Sequence, residues 1–184
     1  MRIALLAAAV AAASLAACSS TPPVASAPPS MADTHTAVAN LAAASGSLVS
    51  GQLNLATMGD GVHVKGDVGG LAPGSTHGFH IHETGDCSAA DASSAGGHFN
   101  PTASAHGKAE SQPHHAGDID NIVADAGGVA HVNAHVAGIT LGDGGGNDVA
   151  GRAIVVHAAP DDYQSQPSGN AGARIACGVI TVTD

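Results

Sequence analysis

The sequence predicts an all-β fold, an antiparallel β-sandwich or barrel, and three observations support that prediction. The chain contains 25 Gly and 9 Pro, which is unfavourable for a helix bundle and typical of short strands joined by turns. Several segments alternate apolar and polar residues with the period of a strand. Between the strand segments lie two long irregular stretches, about 83–118 and 158–173, and loops of this length in a compact domain are usually functional.

The predicted strands follow one another along the chain. Residues 47–55 alternate loosely, whereas residues 61–68 alternate better and place Val62, Val64 and Val68 on one face. A hairpin turn over residues 58–61 joins the two. Three further strands are predicted from an alternating segment and from two continuous apolar runs, at 130–136, 152–157 and 175–182.

Composition limits the function. Hydrophobic residues make up 44% of the 184-residue chain, which excludes disorder throughout, and because aromatics make up only 2% the core must be aliphatic. The net charge is −10 with only five Lys and Arg, which is too few basic residues for a nucleic-acid face. Twelve His and an odd number of Cys, three, are the unusual features.

The N-terminal segment has the pattern of a secretion signal. One Arg precedes an apolar run that ends at residue 17, and this run is shorter than the roughly 20 residues of a membrane span. Residues 15–18, Leu-Ala-Ala-Cys, resemble the lipobox of bacterial lipoproteins, which implies cleavage before Cys18 and lipidation of its thiol. Because Ser19 rather than Asp follows, the resemblance favours the outer membrane. The alternative is an ordinary signal peptide with an incidental Cys18.

These features predict three segments: a lipoprotein signal peptide at 1–17, a lipidated Cys with a tether rich in Pro, Ser and Ala at 18–35, and a domain at 36–184. The domain would face the periplasm, tied to the membrane by its lipid. In that oxidising compartment Cys87 and Cys177 can form a disulfide. Closing a loop of about 90 residues contributes about 4–5 kcal/mol in the chain-entropy treatment.

The histidines indicate metal chemistry. His80 and His82 are two residues apart on a predicted strand, so their imidazoles could reach one metal ion, with solvent-facing histidines as an equal alternative. His157 ends an apolar strand, where a buried imidazole needs a partner. Imidazole suits both copper and zinc. Three His and one carboxylate on a single loop suit a tetrahedral zinc site, namely His98, His106, His115 and Asp118.

Taken together, these motifs resemble those of the Cu,Zn superoxide dismutases, in particular the exported bacterial kind, across about residues 47–182. The early position of Cys87, five residues after His82, also resembles the bacterial branch. The motifs that carry the resemblance are Gly-Phe-His-Ile-His-Glu at 78–83, Gly-His-Phe-Asn-Pro at 97–101, His-Ala-Gly-Asp at 115–118, Gly-Arg-Ala-Ile-Val-Val-His at 151–157 and Gly-Asn-Ala-Gly-Ala-Arg-Ile-Ala-Cys-Gly-Val-Ile at 169–180.

The resemblance implies a role for each matching residue. His98 would bridge the two metals, and Asp161 would link a copper ligand, His80, to a zinc ligand, His106. Arg174 would dock the anionic substrate, and Cys87 and Cys177 would form the family disulfide. The implied copper ligands are His80, His82, His98 and His157, and the implied zinc ligands are His98, His106, His115 and Asp118.

The implied fold is a Greek-key, immunoglobulin-like barrel with long metal-binding and active-site loops. The implied reaction converts two superoxide anions and two protons to O₂ and H₂O₂ at a copper ion that cycles between Cu(II) and Cu(I), while His98 takes up and releases a proton. Each subunit would hold one copper and one zinc. The resemblance leaves the oligomeric state open, with a homodimer as one option. The stretch 158–173 is shorter than the family's electrostatic loop, and Lys65 and Lys108 are candidate additional steering charges.

The remaining histidines receive ordinary roles. The family spacing selects His115 over His114, which is expected to face solvent, and His77 matches a family position that packs beside the copper strand. Two His on a predicted outer strand face, His131 and His135, could hold an adventitious metal but are expected to be solvated. The same expectation applies to His63 and to His35, which would lie in the tether.

Two other functions fit parts of the sequence. A copper and zinc buffer or carrier could share the fold without turnover, but inactive relatives of that kind typically lose a copper ligand or the docking arginine. A structural lipoprotein could use the barrel as an interaction module, and such a module would purify without stoichiometric metal.

Overall fold

A computed structural model describes residues 34–184, whose regular structure is almost entirely β. One short 3₁₀ turn, Ser93–Ala95, lies in the loop before the fifth strand, and within residues 34–184 no helix has the length and apolar character needed to cross a membrane. The predicted leader, the lipobox and the tether up to residue 33 lie outside the described residues. The strands are β1 (Thr36–Ala43), β2 (Ser50–Met58), β3 (Gly61–Gly69), β4 (Thr76–His82), β5 (Asp118–Val123), β6 (Ala130–Ala137), β7 (Ala153–His157) and β8 (Arg174–Val182).

The strands form one antiparallel sheet in the order β5-β4-β7-β8-β1-β2-β3-β6. Its two edge strands, β5 and β6, lie near each other, so the sheet curls into a nearly closed barrel. Around the barrel β7 lies beside β4, which is followed by β5 and β6, and this is the strand order of a Greek key. The predicted all-β antiparallel class is confirmed.

The barrel interior is aliphatic, as the composition requires. Val62, Val64 and Val68 of β3 are all completely buried, which confirms the face assigned to them. In the hairpin before β3 the Met58 and Gly61 positions pair, and Gly59 takes the left-handed conformation (φ 61°) that the tight turn requires. The alternation therefore sets both the pairing and the inward face of this hairpin.

Two strands were not predicted. In β1 the inward positions are Ala37, Ala39 and Leu41, and because two of these are alanine the apolar alternation is weak in the sequence. In β5 the pattern is interrupted because Asp118 is buried at its start and Val123 is 59% exposed at its end. Long-range pairing, of β1 with β2 and β8 and of β5 with β4, places these segments in the sheet.

Two predicted details were wrong. The strand expected over 47–55 runs from Ser50 to Met58. Residues 47–49 lie outside the ladder, and the Ser47 hydroxyl there donates to the carbonyl of Ile175 and accepts from the Val49 amide. His35 does not lie in a free tether. Its carbonyl accepts a hydrogen bond from the Thr57 amide, and its Nδ1 lies 2.9 Å from an Asp184 carboxylate oxygen.

The buried aliphatic interior predicts a matched pair of mutational effects. Leu53 is completely buried in the barrel, so Leu53→Ala should lower the free energy of unfolding by about 2–5 kcal/mol through lost burial and a residual cavity. Leu48 is 87% exposed, so Leu48→Ala should change it by less than about 0.5 kcal/mol. Urea denaturation of both variants measures the difference, and equal effects would contradict the assigned core.

Candidate metal centre

Pairing between strands brings distant histidines together on the outside of the barrel, beneath the two long loops. His80 and His82 lie on β4, and His157 ends the neighbouring strand β7. An isolated bridge between His82 and His98 draws the first long loop alongside β4. All four side chains are buried. The sheet register thus explains why residues up to 77 positions apart in the chain converge.

Two groups of side chains have the spacing of metal ligands. In each group one potential ligand atom from every member lies within 4.8 Å of the others. The first group comprises His80, His82, His98 and His157, and the second comprises His98, His106, His115 and Asp118. His98 belongs to both, so its two ring nitrogens face different groups.

The hydrogen bonds of the first group leave lone pairs directed inward. Nδ1 of His82 is 3.0 Å from the carbonyl of Gly96, and Nδ1 of His157 is 3.4 Å from the carbonyl of Gly172, so both Nδ1 atoms must donate. In neutral rings both Nε2 atoms then carry lone pairs, yet these two atoms lie only 3.3 Å apart. A cation between them would satisfy both nitrogens.

In the second group, three ring nitrogens lie close to one carboxylate. The Nδ1 atoms of His98, His106 and His115 lie 2.8, 3.0 and 3.3 Å from oxygens of Asp118. Asp118 also accepts the main-chain amides of Gly107 and His115. Three imidazole nitrogens and one carboxylate oxygen are a donor set typical of zinc.

Four buried ring nitrogens have no hydrogen-bond partner among residues 34–184: His80 Nδ1, His98 Nε2, His106 Nδ1 and His115 Nδ1. Such atoms are costly to bury, and each belongs to one of the two groups. The residues therefore fit two bound metal ions that share the His98 ring.

Asp161 forms a hydrogen bond with one histidine of each group. Nε2 of His80 donates to its Oδ2 at 2.8 Å, and Nε2 of His106 donates to its Oδ1 at 3.0 Å. Each ring thereby keeps its Nδ1 lone pair for its own group, and this contact is the one predicted for Asp161.

Burial keeps these rings uncharged. Burial, together with the neighbouring imidazoles, lowers the pKa of His82 to about 2, of His157 to about 3 and of His98 to about 4. For Asp118, burial acts to raise the pKa, but the nearby His115 ring and hydrogen bonds from His98 and from the His115 main-chain amide hold it well below its usual range. Neutral imidazoles and an ionised carboxylate are the protonation states that metal ligands need.

Arg174 lies at the mouth of a cleft of about 650 Å³ that exposes the edges of His82, His98 and His157. Its guanidinium donates to the carbonyls of Ala92 and Gly96. The sequence could not predict that these two carbonyls bind Arg174, because every residue carries a main-chain carbonyl. Neither Lys65 nor Lys108 lines the cleft, and Lys108 instead lies 3.8 Å from Asp120.

The loop that supplies these carbonyls is tied to the barrel. Cys87 and Cys177 form a disulfide between the loop and β8, across 90 residues of sequence. Arg152, to which sequence reasoning gave no role, packs over the Phe99 ring at 3.7 Å and donates to the carbonyls of Glu83 and Asp148. The disulfide thus holds the first long loop to β8, and Arg152 holds it beside the start of β7.

The other histidines lie outside the two groups. His114 is half-buried rather than solvent-facing, because its Nδ1 bonds to the His115 carbonyl. His77 is buried and bonds to the His157 carbonyl, which agrees with its packing role. On the outer face of β3 and β6, His131 and His135 are exposed and bond to Asp67 and Asp60, whereas His63 is half-buried.

An antiparallel barrel that carries two adjoining ligand groups with one shared imidazole defines a two-metal protein. A family model described as Copper/zinc superoxide dismutase (SODC) matches residues 49–180. "Superoxide dismutase [Cu-Zn] 2" of Aquifex aeolicus is 44% identical over 135 residues, which cover 72% of this chain and 79% of that protein. "Extracellular superoxide dismutase [Cu-Zn]" of Brugia pahangi is 36% identical over 163 residues, which cover 84% and 79%.

Among solved structures, a SOD-like protein from Bacillus subtilis matches with a TM-score of 0.69 and 35% identity, covering 77% of this chain and 95% of that one. The chain belongs to the copper/zinc superoxide dismutase family. It is an oxidoreductase that uses copper and zinc and dismutates superoxide.

The depressed histidine pKa values predict acid lability of the metal-free protein. Above pH 6.5 neither the folded nor the unfolded state protonates these rings. Below it, the unfolded chain takes up protons that the folded chain excludes down to the folded pKa values of about 2, 3 and 4. The free energy of unfolding should therefore fall by up to about 4 kcal/mol per pH unit between pH 6 and 4.5.

Urea titrations of chelator-treated protein across this range measure the slope. A free energy of unfolding that stays constant from pH 6.5 to 4.5 would contradict buried neutral imidazoles.

Proposed function

We propose a specific set of residues for each metal of this enzyme. The proposed copper ligands are His80, His82, His98 and His157. The proposed zinc ligands are His98, His106, His115 and Asp118. The observation that carries this proposal is the set of buried ring nitrogens that have no hydrogen-bond partner among residues 34–184 and belong to groups whose ligand atoms lie within 4.8 Å of one another. Bound copper supplies one-electron chemistry, in which one superoxide is oxidised to O₂ and a second is reduced, with two protons, to H₂O₂.

Side chains of the protein orient the proposed ligands and transfer a proton in this reaction. Asp118 holds Nδ1 of His98 at 2.8 Å, so Nε2 is the atom of this ring that can take up a proton and pass it to the reduced product. The ring lines the cleft. Asp161 keeps His80 and His106 in one orientation throughout.

Arg174 is the proposed docking group for the superoxide anion. Two of its N–H groups hold main-chain carbonyls, which leaves three of the five guanidinium donors for another acceptor. Within the described residues no carboxylate forms a salt bridge with it, so its charge is directed at the cleft. It is also the only Lys or Arg side chain among residues 34–184 that lines the cleft.

We also propose that the enzyme is exported and held on the membrane by a lipid on Cys18, facing the periplasm and more specifically at the outer membrane. The disulfide between Cys87 and Cys177 suits an oxidising compartment, and the Brugia pahangi relative is named extracellular. The lipobox-like sequence at residues 15–18 supports the anchor.

A copper and zinc buffer without turnover is the alternative. It is disfavoured because both ligand groups and the cleft arginine are present together.

Replacing the docking arginine tests the proposed function. Arg174→Ala should lower kcat/KM for superoxide at least tenfold while copper and zinc stay stoichiometric, because no proposed ligand is altered. Arg174→Lys, which keeps the charge but loses the planar fork, should retain an intermediate rate. Metal content and superoxide consumption are measured on the same preparation of each variant. Wild-type protein with both metals and no turnover would favour the buffer.

Replacing the proposed lipidation site tests the anchor. Cys18→Ala should move the protein from the membrane fraction to the soluble periplasm without changing its specific activity, since the catalytic domain is unaltered. Cell fractionation and the intact mass of the N-terminal peptide measure this. Wild-type protein already soluble in the periplasm, with an unmodified Cys18, would instead indicate an ordinary signal peptide.

A further inference from the structure

A side-chain amide holds the main chain of His106. Oε1 of Gln166 accepts from the His106 amide at 2.9 Å, and Nε2 of Gln166 donates to the His106 carbonyl at 2.9 Å. The loop around His106 has no strand partner, so Gln166 satisfies the two main-chain groups that a β-ladder would otherwise pair.

A second amide holds Asp161 in the same way. Asn121 lies on β5, three residues after the zinc-group carboxylate Asp118. Its Nδ2 donates to the Asp161 carbonyl at 2.9 Å, and its Oδ1 accepts from the Asp161 amide at 2.8 Å. The main chain around Asp161 is irregular too, so these are again the bonds that a ladder would provide.

The two amide clamps flank one hydrogen bond, the 3.0 Å contact between Asp161 and Nε2 of His106. The groups around this contact are closely packed. A Cβ atom on Gly169, which has φ 68°, would collide with both the Asp161 carboxylate and the His106 ring. The second loop therefore approaches the zinc group closely, and each clamp pairs both the amide and the carbonyl of one residue at this contact, His106 or Asp161.

We propose that Gln166 and Asn121 are positioning residues, which set the orientation of His106 and Asp161 and thereby the affinity of the metal sites. This inference rests on the ligand sets of the proposed function. The two residues differ in reach. Gln166 acts on His106, which belongs only to the zinc group, whereas Asn121 acts on Asp161, which contacts both His80 and His106.

Because Gln166 and Asn121 affect different metal ligands, a positioning role can be distinguished from a merely structural one. If the amides only joined loops, their loss would lower stability and weaken both metals alike. If they position ligands, Gln166 variants weaken zinc selectively and Asn121 variants weaken zinc and copper together. The selectivity between the two metals is therefore the informative measurement.

The experiment measures zinc and copper dissociation constants of the metal-free full-length protein by competition with a chromophoric chelator. Gln166→Met keeps the side-chain length but removes both hydrogen bonds, and it should weaken zinc roughly fivefold or more and copper less than about twofold. Asn121→Leu should weaken both metals by roughly fivefold or more. Should that variant not fold, Asn121→Ser removes the amide donor to the Asp161 carbonyl without adding a charge and should shift both affinities in the same direction.

The matched control is Gln164→Met, in the same loop, because the Gln164 side chain makes no hydrogen bond within the described residues. It should change neither affinity. Hydrogen exchange gives an independent readout, since the His106 amide should exchange faster in Gln166→Met but not in Gln164→Met.

Equal weakening of zinc and copper by Gln166→Met, or unchanged zinc affinity in that variant, would overturn the proposal. Asp118→Asn separates this failure from that of the proposed function. Loss of zinc binding in Asp118→Asn with a neutral Gln166→Met overturns the clamp alone, whereas retained zinc binding overturns the ligand assignment on which it rests.

Discussion

Burying imidazoles side by side is the constraint on which the rest of this structure depends. Six histidines and two carboxylates lie together with almost no exposure, and a buried polar atom without a partner is costly. The outward-facing nitrogens are satisfied by Asp161 and by the carbonyls of Gly96 and Gly172. The inward-facing nitrogens without a partner among residues 34–184 have lone pairs available for metal ions, so the fold supplies the bonds that orient each ring and leaves these atoms for coordination.

The barrel and the loops divide this task. The barrel is an aliphatic scaffold whose register aligns His80, His82 and His157 on two neighbouring strands. The loops contribute the other ligands and need external ties because they lack regular pairing. The disulfide and Arg152 hold the first loop, and the side chains of Asn121 and Gln166 hold the junction between the two loops.

Charge is organised locally rather than over the whole molecule. A net charge of −10 is unfavourable for an enzyme whose substrate is an anion, yet the local potential in the cleft determines the approach of substrate. Arg174 faces the cleft without a carboxylate partner in the described residues, while exposed carboxylates such as Asp60 and Asp67 bond to histidines on the far strands. Glu83 also lines the cleft, so the favourable local charge there depends on Arg174.

The sequence by itself determined the fold class, the inward face of β3 and the ligand types, because each is encoded by periodicity or spacing within one segment. The two-residue spacing of His80 and His82 and the cluster from His98 to Asp118 are signals of this kind. It did not reveal β1, whose inward alanines give little contrast, or β5, where a buried aspartate interrupts the pattern.

The tertiary structure alone decided which ring nitrogen faces inward and which main-chain groups hold Arg174, His106 and Asp161. Those contacts join residues 40 to 82 positions apart, and no local pattern records a pairing that arises only when loops pack on a sheet.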